Sequence, residues 1–279
     1  MRIGVFDSGL GGLLVASAIA RRLPEHDLLY LGDTLRVPYG GRSQEAIHGF
    51  VAQALGYLFE NDCQIVVLAC NTASAEALRK SQQEVLPRHY PDRRVLGVVI
   101  PAAETVAAIG ARHVGVLATR STVASGPYVR EIARHSPHAE VRAVAAPLLV
   151  PLVENDGLGY ADPILDGYLA ELGIGSPPPS RGEEPGVRGR PPIDCLVLGC
   201  THYGLLKDRI RAKVNVPILT SEEIVPERLA DYLCRHPEHD ARIGRHAERL
   251  YRVTDLGPGY EALAQTFAGE AIRLEKVNL

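Results

Sequence analysis

Two short stretches of this chain carry groups suited to moving a proton: "LACNTAS" at residues 68–74 and "LGCTHYG" at residues 198–204. Each closes an apolar run with a thiol, Cys70 or Cys200, and continues with small polar residues, Asn71-Thr72 or Thr201-His202. A single cysteine at a strand end is commonly a small apolar filler. Two in equivalent places, each at the start of a helical pattern, point to chemistry, because a helix N-terminus lowers the pKa of a thiol there. If the two units pack face to face, both thiols reach one cleft, an arrangement that suits taking a proton from one face of a carbon and returning one to the other. Acyl transfer would instead use Cys200 with His202 as base and an oxyanion hole, and would leave Cys70 idle.

Other chemistries fit less well. Thiolate and imidazole near one another suggest zinc. However, Cys195 and Cys200 would point to opposite faces of a strand and stand about 16 Å apart at roughly 3.3 Å per residue, and neither CxxC nor HExxH occurs. No metal site is expected. The turn "DSGLGGLL" is neither GxGxxG nor GxxxxGK[ST], so a nucleotide site is not indicated. Its Gly9, Gly11 and Gly12 allow close backbone approach, and helix-start amides there are expected to attract a substrate carboxylate. Asp7 could hold an ammonium group or a partner histidine.

These groups must be positioned by the surrounding elements. Short β-branched runs alternate with longer Ala/Leu-rich stretches of helical period: "IGVF" then "LLVASAIARRL", "LLYLGD" then "SQEAIHGFVAQALGYLFEN", "QIVVLAC" then "TASAEALRKSQQEVL". This βα alternation predicts parallel sheets covered by helices, with ligands beyond the carboxyl ends of the strands. The residues placed there are Asp7-Ser8, Asp33, Cys70-Asn71-Thr72, Thr119, Glu154 and Cys200-Thr201-His202. The chain also resembles itself: "RIGVFDSGLGG" matches "RHVGVLATRSTVASG", and "IVVLACNTASAEALRK" matches "CLVLGCTHYGLLKDRI". Ile3 and Val114 differ by 111 positions and Cys70 and Cys200 by 130, so the second half carries 19 more residues, of which the Pro/Gly-rich segment 176–192 supplies 17. That segment is expected to be a surface insertion.

Composition narrows the function classes. The 279 residues are 46% apolar with a net charge of −3, no Trp and four Phe, which argues against a nucleic-acid surface. No apolar stretch has the length of a membrane span, and no signal core follows the N-terminus, so a soluble cytoplasmic protein is expected. The five cysteines are odd in number and scattered, which favours reduced thiols over a disulfide framework. Eight of the ten histidines, His236, His239 and His246 among them, read as surface positions.

Taken in order, "FDSGLGGL", "YLGDTLRVPYGGRS", "VLACNTASA", "PLLVPLVENDG" and "VLGCTHYGLL" closely resemble the glutamate racemases of the cofactor-independent aspartate/glutamate racemase superfamily. The resemblance implies two pseudo-symmetric three-layer α/β domains with mainly parallel sheets and an active site in the cleft between them. The first domain would comprise residues 1–96 plus about 207–279, and the second residues 97–206 with the insertion at 176–192. No cofactor and no metal are implied. Glutamate would be the small-molecule substrate, with neither nucleic acid nor membrane as partner and a homodimer as an option, and D-glutamate would feed peptidoglycan synthesis.

By the same resemblance Cys70 would deprotonate D-glutamate and Cys200 L-glutamate, with Asp7 and His202 assisting at the two thiols. Asp7, Ser8, Tyr39, Gly40, Asn71, Thr72, Thr119, Thr201 and His202 would bind substrate, while Thr119 could equally cap the next helix. Glu154 matches a functional glutamate of the family, with a solvated loop carboxylate as the alternative. Asp33 and Arg36 read more simply as an ion pair that pins the "DTLRVPYG" loop. The family usually has Pro where Gly204 stands and Gly where Ala118 stands. The alternatives are a racemase of aspartate or another carboxylate, or a non-catalytic binding protein on the same fold.

Overall fold

A computed structural model describes residues 1–175 and 191–279. The insertion expected at 176–192 therefore lies outside the described residues except for Pro191 and Pro192. Among the described residues ten strands form two sheets in which all pairs are parallel. The strands are β1 (Arg2–Asp7), β2 (Leu28–Gly32), β3 (Cys63–Leu68), β4 (Arg94–Gly97), β5 (His113–Ala118), β6 (Glu140–Ala145), β7 (Cys195–Gly199), β8 (Ile218–Leu219), β9 (Arg249–Val253) and β10 (Glu275–Lys276). The first sheet runs β10-β9-β2-β1-β3-β4 and the second β6-β5-β7-β8.

The internal self-similarity is visible in these orders. β2-β1-β3-β4 and β6-β5-β7-β8 are the same arrangement, with β1 and β5 central and the cysteine-bearing β3 and β7 beside them. Among the described residues β9 and β10, added at the β2 edge, lack a counterpart. Parallel strands covered on both faces read as continuous apolar runs, and β2, β3 and β7 are buried at every position. Alternate residues serve different cores. Leu196 and Leu198 join the large cluster that also contains Ile3 and Val5, whereas Cys195 and Val197 join a cluster on the far side of the second sheet. Cys195 is thereby directed away from Cys200, which packs in the large cluster.

β8 pairs with β7 through Leu196–Ile218 and Val197–Leu219, so the second sheet extends past residue 206, where the sequence reading ended the second unit. Two ladder residues carry no readable alternation, which conceals such a strand. The chain then returns through the helix Ser221–Arg235, packed on the helix Leu13–Arg22, to β9. Among the described residues no helix is long and apolar enough to cross a membrane.

Candidate active site

The carboxyl ends of β1, β3, β5 and β7 converge on a cavity of about 340 Å3, lined by Ser8, Cys70, Asn71, Thr72, Thr119, Cys200, Thr201 and His202 among others. Cys70 takes its place because only Ala69 and Cys70 separate the end of β3 from the helix Asn71–Lys80. It is the N-cap of that helix, and its sulfur accepts a hydrogen bond from the Ala73 amide at 3.4 Å. The thiol also donates to Ser8 Oγ at 3.4 Å. The lowering of pKa expected from the helix start does not prevail. Burial, then the Asp7 charge, pushes the Cys70 thiol up to about 12, against the opposing effect of its hydrogen bonds with Ser8 and Ala73.

Cys200 follows β7 in extended backbone and leads into the 3-10 helix Thr201–Leu206. Its sulfur lies 3.9 Å from His202 Nδ1, and His202 Nε2 meets Glu154 Oε1 at 2.9 Å. The ring is braced edge-on by Phe267, with centroids 5.3 Å apart. Burial disfavours the imidazolium, yet the hydrogen bonds and charges of Cys200 and Glu154 outweigh it and raise His202 to about 10. Glu154 also lines the cavity, so it is a partner of His202 and not a solvated loop carboxylate.

Asp7 ends β1, as expected, but sits behind the cavity wall. It is fully buried and does not line the cavity. Its carboxylate accepts from the Gly9 amide at 3.0 Å and from Thr201 Oγ1 at 3.3 Å. Burial raises its pKa, opposed by the His202 charge and by the bonds from Gly9, Gly12 and Thr201. The glycine turn is likewise an interface and not an anion cradle. A Cβ on Gly11 would lie 2.5 Å from Thr201 Oγ1 and 2.7 Å from His202 Nδ1, so its bare backbone lets the second half of the site approach the first.

Comparison with known proteins places this geometry. The sequence model described as Asp/Glu/hydantoin racemase matches residues 13–164, more than half of the chain. The chain belongs to this racemase family. A glutamate racemase of Roseobacter denitrificans is 36% identical over 250 residues, covering 85% of this chain and 87% of that protein. One from Neisseria meningitidis is 36% identical over 282 residues, covering 99% and 96%. The crystal structure of a Francisella tularensis glutamate racemase in complex with D-glutamate superposes with a TM-score of 0.83 at 26% identity, covering 99% of this chain and 97% of that one.

Within this racemase fold the remaining expected residues fall as follows. Ser8, Asn71, Thr72, Thr201, Tyr39 and Gly40 line the cavity. Tyr39 packs its ring against Phe6 and Phe50, and its hydroxyl donates to Asp33 Oδ2 at 2.5 Å and is held protonated by burial and by that charge. Asp33 also pairs with Arg36 Nε at 2.6 Å and accepts from Thr254 Oγ1 at 2.9 Å, which pins the loop as expected. Thr119 stands both at the cavity wall and at a helix start. It lines the cavity beside Thr72, 3.0 Å between hydroxyls, and caps the helix Arg120–Ser125 by accepting from the Thr122 amide at 3.3 Å.

Gly204 packs on the helix Leu13–Arg22, where a Cβ would lie 2.7 Å from Leu14 Cδ1, and Ala118 is buried away from the cavity. His239, read as a surface position, is buried against Gln64. The sequence reading missed Val37, Pro38, Arg120, Pro147, Val150, Pro151 and Asn155 as lining residues. Most fall inside the quoted "RVPYGG" and "PLLVPLVEND" motifs, the signal that could have found them. Among the described residues no group of three or more His, Cys, Asp or Glu has the arrangement of a metal site.

Proposed function

We propose that this chain is a glutamate racemase that inverts the α-carbon by cofactor-independent 1,1-proton transfer between two thiols. One observation carries the reading: Cys70 and Cys200, from matching positions of two matching sheets, line a single cavity. Its 340 Å3 lies at the small end of the range for ligand pockets, in keeping with a single amino acid. Hydroxyl and amide donors are available for substrate carboxylates on Ser8, Asn71, Thr72, Thr119 and Thr201.

In this reading one thiolate removes the α-proton and the opposite thiol delivers its own proton to the other face. The C–H bond breaks as an S–H bond forms at one cysteine, and the reverse occurs at the other. Each turnover leaves the two thiols with exchanged protonation states, so the reaction runs in either direction. His202, held as a cation by Glu154, steadies charge at Cys200, while Asp7 bears on Cys70 through its charge and on the second half through Thr201. Burial makes a resting Cys70 thiolate costly, and the incoming substrate ammonium supplies an opposing charge beside it.

The family resemblance further supports D-glutamate supply for peptidoglycan and a cytoplasmic location, with a homodimer as an option. The two sheets are read as two domains, with the return to the first falling after β8. Incubation with L-glutamate, followed by circular dichroism, tests the activity: decay of the signal to zero is expected, and a constant signal would refute it. An aspartate arm tests the main alternative. With aspartate, kcat/KM should be lower by about tenfold or more, as one missing methylene allows.

A further inference from the structure

We infer that Tyr128 is a positioning residue that aims the Asn71 carboxamide at a carboxylate oxygen of the amino-acid substrate. The inference rests on the racemase reading above but concerns a residue that does not itself line the cavity. Tyr128 lies on the helix Pro127–His135, is 2% exposed and packs in the apolar cluster on the far side of the second sheet. Its ring fills the space left by Gly199, where a Cβ would lie 2.9 Å from Tyr128 Cε2. From there its hydroxyl reaches out of its own sheet unit and donates to Asn71 Oδ1 at 2.5 Å, at the start of the helix that Cys70 caps.

Asn71 is equally buried, at 2% exposed, and lines the cavity. Its Nδ2 is buried and has no hydrogen-bond partner. A buried amide donor left unpaired is destabilising, and such a group is usually retained where something else supplies its acceptor. The phenol fixes which end of the carboxamide is unpaired. Burial and the Cys200 charge raise the Tyr128 pKa, so its proton stays in place. Asn71 Oδ1 is the one acceptor of that proton among the described residues. Turning the carboxamide over would leave the phenol proton without an acceptor and set an oxygen against the incoming carboxylate. With the proton donated, both N–H groups of Nδ2 remain free for substrate.

A double-mutant cycle on glutamate racemisation tests this with wild type, Tyr128→Phe, Asn71→Ala and the double variant, each assayed from both enantiomers and checked by thermal melting. Losing one hydrogen bond that orders a substrate contact should raise KM about tenfold in Tyr128→Phe, with kcat changed by less than about threefold. Asn71→Ala should raise KM at least as much. Adding Tyr128→Phe to Asn71→Ala should then change KM by less than about twofold, because the hydroxyl acts through the amide.

Multiplying losses in the double variant, or an unchanged KM in Tyr128→Phe, would overturn the inference and leave the racemase reading intact. A Tyr128→Phe protein that fails to fold would also overturn it, by assigning the hydroxyl to the fold. A wild type inert toward both glutamate and aspartate would instead remove the reading on which it rests.

Discussion

Cys70 and His202 occupy opposite electrostatic situations in one cavity. Burial holds the Cys70 thiol near 12, so the free protein carries little thiolate there at neutral pH. The rate of Cys70 alkylation by iodoacetamide, followed by peptide mass spectrometry, should climb through pH 10 without a plateau; saturation near pH 8 would contradict it. His202 is raised from 6.5 to about 10, so it binds a proton in the folded state that the unfolded chain gives up. Its stabilising contribution is complete below about pH 6.5 and is lost as pH rises toward 10. Glu154→Gln should therefore flatten the decline in urea midpoint between pH 6.5 and 10, and an unchanged slope would dissociate Glu154 from the imidazolium. The cavity-lining Cys70, Asn71, Thr72, Thr119, Thr201 and His202 were legible because each lies within four residues of a strand end. The withdrawal of Asp7 was not, since it depends on how the turn 8–12 folds over the strand end. Nor was the protonated state of Cys70, because burial in the assembled cleft outweighs the local helix start.

At the scale of elements, close approach across the interface sets what each position tolerates. Gly11→Ala would drive a methyl group into Thr201 and His202, and should destabilise the protein by about 1–3 kcal/mol while lowering activity. Gly49 provides the contrast. It lies inside the helix Gln44–Glu60 with nothing within 4 Å of an added Cβ, so Gly49→Ala should stabilise by about 0.5–1 kcal/mol and leave activity unchanged. Denaturant unfolding of both variants checks the pair, and equal effects would contradict the close approach at Gly11. The βα alternation and the self-similarity made β1, β3, β5 and β7 readable. β8 and β10 span two residues each, too short for periodicity to register. The residues Val37 and Asn155 lie away from strand ends, so the βα pattern does not point to them and only the motifs that contain them do.

For the whole molecule, the decisive feature is that neither sheet contains a complete site. Ser8 and Cys70 follow strands of the first, Thr119, Cys200 and His202 strands of the second, and Thr201–Asp7 and Thr72–Thr119 bonds join the halves. Cys70→Ala and Cys200→Ala should each lower racemisation by about a thousandfold or more, since each removes the acid or base for one face; near-wild-type turnover in either would refute the two-thiol account. The most direct measurement is mass and NMR analysis of glutamate recovered early from L-glutamate incubated with the protein in deuterium oxide. Transfer between two thiols predicts that the D-glutamate formed carries deuterium at the α-carbon while the remaining L-glutamate keeps protium. D-glutamate that retains the original proton, or equal early labelling of both enantiomers, would contradict it.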